Sequence, residues 1–266
     1  MPSPVRPHPR NKRTAQPARP PHERELLRIC GLAAVQALFD RDPGRVERLF
    51  FQPALRNDLG AACRALARAR KPYRQVDSAE LARIADTVLH GGVVAIARPR
   101  PLVDLDPTAA LTWAQDGKPL LILDGIGNPH NLGAIARSAA FFGLARIVVA
   151  DRPDQALPSN AAYRVAEGGL EYVAPYRARL PAALHELRRA YRIVGTSLAG
   201  GSAAIDPTRD RPVALILGNE KTGLNAATLA LCHEVVRIPG SGRLQSLNVA
   251  SAAAILIYLL TRSPSG

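Results

Sequence analysis

The sequence predicts an α/β protein: a larger carboxyl-terminal module built on an open parallel sheet, preceded by a smaller α/β module. Two observations carry that reading. Short, nearly continuous apolar runs at 120–123, 147–150, 192–196, 213–217 and 235–238 have the length and composition of strands buried on both faces. Helical patterns at 132–142, 161–166, 182–190 and 226–231 lie between them, and alternating strands and helices lead to parallel pairing. With 266 residues, 47% of them hydrophobic but only 5% aromatic, the chain can bury a core built mainly from Ala, Leu, Val and Ile.

Taken in order, residues 1–21 hold seven prolines and five Arg or Lys with no acid. Such a stretch cannot bury enough surface to offset its ordering entropy and reads as a disordered basic tail. The smaller module covers 22–97. Leu26, Leu27 and Ile29 suggest a strand, and 31–39 a helix. A second strand follows at 46–51. Residues 59–69 form a helix with Leu59, Ala62, Cys63 and Leu66 on one face. Ser78 is placed to cap a helix starting at Ala79, and His90-Gly91-Gly92 breaks the chain before a buried strand at 93–97. Three prolines between 98 and 107 mark residues 98–117 as a linker, with a short helix at 108–115. The larger module fills 118–266.

A net charge of +13 concerns partners rather than fold and points to nucleic acid. No basic amphipathic helix supports a membrane surface, and the longest apolar run, 247–260, is too short to span a bilayer. Cys30, Cys63 and Cys232 are far apart and odd in number, and the six histidines form no HExxH pattern. That excludes a disulfide framework and argues against a metal. With no apolar signal segment, the expected location is the cytoplasm.

Ligands of open parallel sheets bind beyond the carboxyl ends of the strands. Four polar or glycine-rich turns follow strands here: 124–131, 196–201, 218–223 and 239–242. Two familiar phosphate motifs fail. Gly125-Ile126-Gly127 begins a dinucleotide fingerprint, but His130 occupies the third glycine position. Gly218 and Gly223 have Walker spacing, but Leu224 stands where lysine belongs. What remains is Asn131, Arg137, Glu220, Ser246 and Asn248. Arg137 falls among small apolar residues on a helix, which fits an interface or ligand as well as a surface arginine with a snorkelling stem. Taken alone, Glu220 fits a solvated loop carboxylate and Ser246 a helix cap. Asn248, a polar amide opening an apolar run, needs a partner.

Three segments resemble the SpoU family of RNA ribose 2′-O-methyltransferases, of the knotted SPOUT class. They are Asn128-Pro129-His130-Asn131-Leu132-Gly133-Ala134-Ile135-Ala136-Arg137-Ser138-Ala139, Leu217-Gly218-Asn219-Glu220-Lys221-Thr222-Gly223-Leu224, and Ile238-Pro239 followed by Ser246-Leu247-Asn248-Val249. They occur in family order. The smaller module resembles the family's L30e-like substrate-binding domain at 31–35, 76–81 and 90–94. Gly91 departs from the family's usual Gln, and Asn128 from its usual Asp.

The resemblance implies a trefoil knot, a homodimer, an RNA substrate (ribosomal or transfer RNA) and S-adenosylmethionine as cofactor. It implies a cofactor site at Thr196, Leu217, Gly218, Asn219, Ile238 and Leu247. Asn131, Glu220, Ser246 and Asn248 would hold the ribose, the cofactor or Arg137. Arg137 would be the base for the ribose hydroxyl or the group that orients the substrate phosphate. Two other readings compete: a non-catalytic RNA-binding protein on the same fold, and a nicotinamide-dependent oxidoreductase.

Overall fold

The computed structural model describes residues 26–197, 200–203 and 211–262. The expected basic tail, 1–21, lies outside the described residues.

The smaller unit opens with β1 (Leu27–Cys30) and α1 (Leu32–Arg41), followed by β2 (Val46–Phe51), α2 (Gly60–Arg68), β3 (Tyr73–Gln75), α3 (Ser78–Ala85) and β4 (Val93–Ala97). Its four strands lie in the order β1-β4-β2-β3, with β4 antiparallel to both neighbours and β3 parallel to β2. Two expectations need correcting. Asp77, not Ser78, caps α3, its side chain accepting from the Glu80 N–H at 2.7 Å. β3 escapes prediction because all three of its residues are exposed and no apolar alternation marks it.

The segment expected to be a linker adds β5 (Val103–Asp104) and α4 (Pro107–Trp113). The larger unit runs through β6 (Leu120–Asp124), α5 (Pro129–Phe141), β7 (Arg146–Ala150), α6 (Asn160–Ala166), α7 (Gly169–Tyr172), β8 (Ala174–Ala178) and α8 (Leu180–Leu187). It continues with β9 (Arg192–Thr196), β10 (Val213–Gly218), α9 (Ala226–Leu229), β11 (Glu234–Val236) and α10 (Val249–Thr261). Seven strands pair in the order β11-β9-β10-β6-β7-β8-β5, every neighbouring pair parallel.

Strand alternation divides the core. Leu121 and Leu123 of β6 face Leu132 and Ile135 of α5 and Ile257 of α10. Leu120 and Ile122 face Leu184 and Leu187 of α8. Covered on both faces, β6 and β10 have no polar side and read as nearly continuous apolar runs. The last helix begins at Val249 rather than 247, because Asn248 is its cap and accepts from the Ala250 N–H at 2.8 Å.

The first core layer continues into the smaller unit, through Val35, Leu38 and Leu49. A buried ion cluster joins the two units at the same place. Arg45 Nη1 lies 2.7 Å from Glu171 Oε2, with the two side chains 7% and 0% exposed. Arg100 reaches the same oxygen at 3.2 Å, Arg45 Nε donates to the Arg98 carbonyl, and Arg45 Nη2 donates to the Tyr163 hydroxyl. Beside the cluster, Gly168 has φ +94°, and a Cβ there would meet that of Ala37 at 2.9 Å, so only glycine lets the units approach so closely.

Removing one partner of a buried pair strands the other's charge. Arg45→Ala should therefore lower unfolding free energy by about 3–5 kcal/mol in urea titrations. Arg45→Met combined with Glu171→Met should recover most of that loss. A single variant as stable as the parent would show that the cluster holds nothing.

Candidate functional site

The carboxyl ends of β9 and β10, the segment after β11 and the start of α10 surround a cavity of about 330 Å³. Its walls come from Thr196 and Ser197 after β9, Leu217 to Glu220 and Gly223 after β10, Val236 to Ile238, Gln245 to Val249, and Ala252 and Leu256 of α10. All six residues expected around a cofactor, Thr196, Leu217, Gly218, Asn219, Ile238 and Leu247, line it. So do Glu220, Ser246 and Asn248.

The turn after β10 is built for close approach. Asn219 and Gly223 exchange backbone hydrogen bonds at 3.2 and 2.9 Å. A Cβ on Gly218 would fall 2.5 Å from the Gly223 carbonyl carbon. The Asn219 side chain is occupied within the turn: Oδ1 accepts from the N–H groups of Lys221 and Thr222, and Nδ2 donates to the Gly125 carbonyl at 2.7 Å. Its contribution to the cavity is therefore the shape of the turn.

Three distant segments meet in one chain of side-chain hydrogen bonds. Asn131, 8% exposed in the first turn of α5, donates through Nδ2 to Glu220 Oε1 at 2.8 Å. Its Oδ1 accepts from Asn248 Nδ2 at 3.1 Å. Asn248 is thus both a helix cap and the partner of a buried amide. Ser246 is exposed on the cavity wall, two residues ahead of the cap.

Arg137 is not brought into this group. Its Nη2 pairs with Glu167 Oε2 at 2.9 Å, both side chains more than half exposed, and it does not line the cavity. It shares a face of α5 with Phe141, one helical step of four residues on, which is 83% exposed. Phe142 packs edge-on against Phe141 and lies 6.0 Å from the Tyr258 ring of α10.

Behind the cavity is a layer that sequence reasoning did not identify. Asp124, 3% exposed at the end of β6, accepts from Arg152 Nη1 at 2.9 Å and from the Thr228 hydroxyl at 3.0 Å. Gln155 Oε1 accepts from the N–H groups of Gly125 and Ile126. The available signal was a carboxylate ending an apolar strand, since a buried charge needs partners. Ser197, Arg237 and Gln245 also line the cavity without having been singled out.

Among the described residues no cluster of three His, Cys, Asp or Glu could hold a metal ion, and no helix is long and apolar enough to cross a membrane. Burial pushes the Cys30 and Cys232 thiols up to about 11, which leaves both poor nucleophiles at neutral pH.

Known proteins match this arrangement along most of the chain. The family model described as the SpoU rRNA Methylase family matches residues 118–258. Another, described as RNA 2'-O ribose methyltransferase substrate binding, matches 28–103. The chain is 33% identical over 244 residues to a 23S rRNA (guanosine-2'-O-)-methyltransferase of Acinetobacter baylyi, covering 89% of this chain and 97% of that protein. It is 35% identical over 235 residues to an uncharacterized tRNA/rRNA methyltransferase of Escherichia coli O157:H7, covering 88% and 67%. An AdoMet-bound rRNA methyltransferase from Sinorhizobium meliloti superimposes with TM-score 0.73 at 25% identity, covering 90% and 88%. The SpoU methyltransferase AviRb of Streptomyces viridochromogenes gives 0.69 at 25% identity, covering 90% of each chain.

The side-chain relay makes its own prediction. Asn131→Leu keeps the branching but removes the amide, leaving the part-buried Glu220 short of a donor, which costs about 1–3 kcal/mol, while the exposed Asn248 amide turns to water. Thermal unfolding should show that loss, while Ser138→Ala, on the same helix and outside the relay, should unfold close to the parent.

Proposed function

This chain belongs to the SpoU rRNA methylase family, and from that premise we propose that it methylates a ribose 2′-hydroxyl of RNA with S-adenosylmethionine, ribosomal RNA being its substrate. The observation that supports this best is the cavity at the strand ends. Its volume, its apolar walls at Leu217, Ile238, Leu247 and Leu256, and its floor at Gly218, where no Cβ fits, suit the adenosine end of that cofactor. The choice of ribosomal RNA rests on the Acinetobacter relative.

Bound in this cavity, S-adenosylmethionine supplies an electrophilic methyl group on a positively charged sulfur. The remaining work belongs to the chain. A ribose hydroxyl is a weak nucleophile that sheds its proton as it attacks, so it must be held in line. Glu220, fixed through Oε1 by Asn131, and Ser246 on the cavity wall orient the ribose. Asn131 and Asn248 act by holding Glu220 and the start of α10 in register. Arg137 serves the substrate phosphate, because a guanidinium matches a phosphate with two parallel N–H bonds and keeps its own proton in water. The hydroxyl proton leaves through solvent.

Arg137 lies outside its own cavity, which supports a homodimer as the working unit. The face carrying Phe141, Ile255 and Tyr258, 83%, 39% and 52% exposed, is the apolar patch available for self-pairing. Arg137 borders that patch and would serve the partner's cavity. The assignment is completed by a trefoil knot within the catalytic domain, 118–266, an RNA-binding domain at 22–97, a linker at 98–117, and action in the cytoplasm without a metal. Its unpaired thiols suit that reducing compartment.

The decisive experiment offers labelled S-adenosylmethionine and total RNA from cells lacking the protein, then identifies the modified nucleoside by mass spectrometry. A 2′-O-methylnucleoside is expected. Label on a base would overturn the ribose mechanism, and bound cofactor with no transfer to naked RNA or ribosomal particles would favour a non-catalytic RNA-binding protein. Arg137→Ala should abolish transfer while leaving dimerisation intact. Glu220→Ala should reduce the rate 10- to 100-fold, within the range that positioning effects command. Mixed dimers of Arg137→Ala and Gly218→Val chains, each inactive alone, should regain activity, because one cavity then combines intact halves from both chains. No recovery would place Arg137 in its own protomer's site.

A further inference from the structure

The second helix of the smaller unit carries charge that the fold does not use. Between residues 56 and 70 stand Arg56, Arg64, Arg68 and Arg70, with Asp58 the only acid. All four arginines are exposed, and none makes an ion pair or side-chain hydrogen bond with a described residue. Elsewhere on this unit several cations are engaged, Arg45 with Glu171, Arg74 with Glu80, and Lys71 and Arg98 with Glu47, whereas Arg83 of α3 is exposed and stands apart from this group.

The helix presents these groups on one low surface. Leu59, Ala62 and Leu66 turn inward and are buried, leaving Ala61, Arg64, Ala65, Ala67 and Arg68 outward. Arg64 and Arg68 are four residues apart, about 6 Å along the axis, and so lie on one face. Arg56 precedes the helix and Arg70 follows it. Both Arg56 and Arg64 act on the Cys63 thiol, pulling against the burial that raises it, so their charges converge over one stretch of helix. Guanidinium groups standing out of an alanine surface allow a polyanion to lie close and accept two N–H bonds from each.

We propose that this face of α2 docks the phosphate backbone of the RNA substrate. The proposal rests on the reading of the chain as an RNA methyltransferase and names the face through which the smaller unit would act. It reads backbone charge, not sequence, and so supplies affinity and placement rather than choice of nucleotide.

The test uses the full-length protein and protein-free total ribosomal RNA, with dissociation constants measured by filter binding from low to moderate salt. Changing Arg56, Arg64, Arg68 and Arg70 to Gln should weaken binding at least tenfold. It should also reduce the slope of log affinity against log salt by about three, since each phosphate contact contributes 0.7–0.9. Cofactor affinity by calorimetry and the melting temperature should not move. Changing the same four residues to Lys should preserve most of the slope. A control with Arg83, Arg179, Arg189 and Arg262 changed to Gln carries the same net charge and should bind nearly as the parent does.

Unchanged affinity and slope in the α2 variant, or an equal loss in the control, would overturn the proposal. So would an α2 variant that keeps RNA binding but loses an acidic protein partner. The two readings fail separately. If the parent methylates RNA and the α2 variant shows the same KM for RNA, the face is wrong and the activity stands. If the α2 variant loses RNA binding but the parent transfers no methyl group, the face stands and the activity is wrong.

Discussion

Asn131 lies almost buried between a carboxylate and a second amide and satisfies both. Few side chains can do this. A carboxamide donates from nitrogen and accepts at oxygen at the same time. An aspartate would offer a second anion to Glu220, and a leucine would offer nothing. The residues it joins, at 131, 220 and 248, arrive on different segments, so the cavity has its shape only when the amide holds all three. The end of β10, the first turn of α5 and the cap of α10 are fixed relative to one another through this one side chain.

That amide works because what stands behind it is stiff. Asp124 fixes the end of β6 to the loop after β7 and to α9 through Arg152 and Thr228. Asn219 ties the 219–223 turn to the Gly125 carbonyl. Both contacts are made wholly within the chain. A site that holds a weak nucleophile in line depends on supports set beforehand, because freedom lost during binding would reduce the affinity and rate gained.

Most of the sheet was legible because burial on both faces disfavours polar residues, so β6, β7, β9 and β10 each carry a mainly apolar run. The elements that escaped break that rule. β8 reads Ala-Pro-Tyr-Arg-Ala, with a proline and an arginine interrupting the pattern. β5 is two residues long, and β3 is wholly exposed. The site was partly legible in the same physical sense. Strand ends followed by glycine and polar turns marked where a ligand would sit, and the motif residues at 217–220 and 246–248 do line one cavity. Pairing was not legible. No spacing rule links 131 to 220 or 248, and periodicity placed Arg137 on a helix without showing that it faces Glu167 and solvent rather than the cavity.

The buried Arg45–Glu171–Arg100 cluster bears on how the two units share one RNA. A flexible tether would let the smaller unit hold a substrate anywhere within reach and would raise local concentration without orienting anything. Here a core layer crosses the boundary, Gly168 permits backbone contact, and a desolvated charge cluster makes partial separation costly. Burial outweighs the two guanidinium partners and pushes the Glu171 carboxyl above its ordinary range, and its Oε1 has no hydrogen-bond partner among the described residues. Such a group loses both guanidinium partners if the units part. The clasp therefore favours one geometry over an ensemble. On the proposed docking at α2, a phosphate held there has a fixed relation to the cavity.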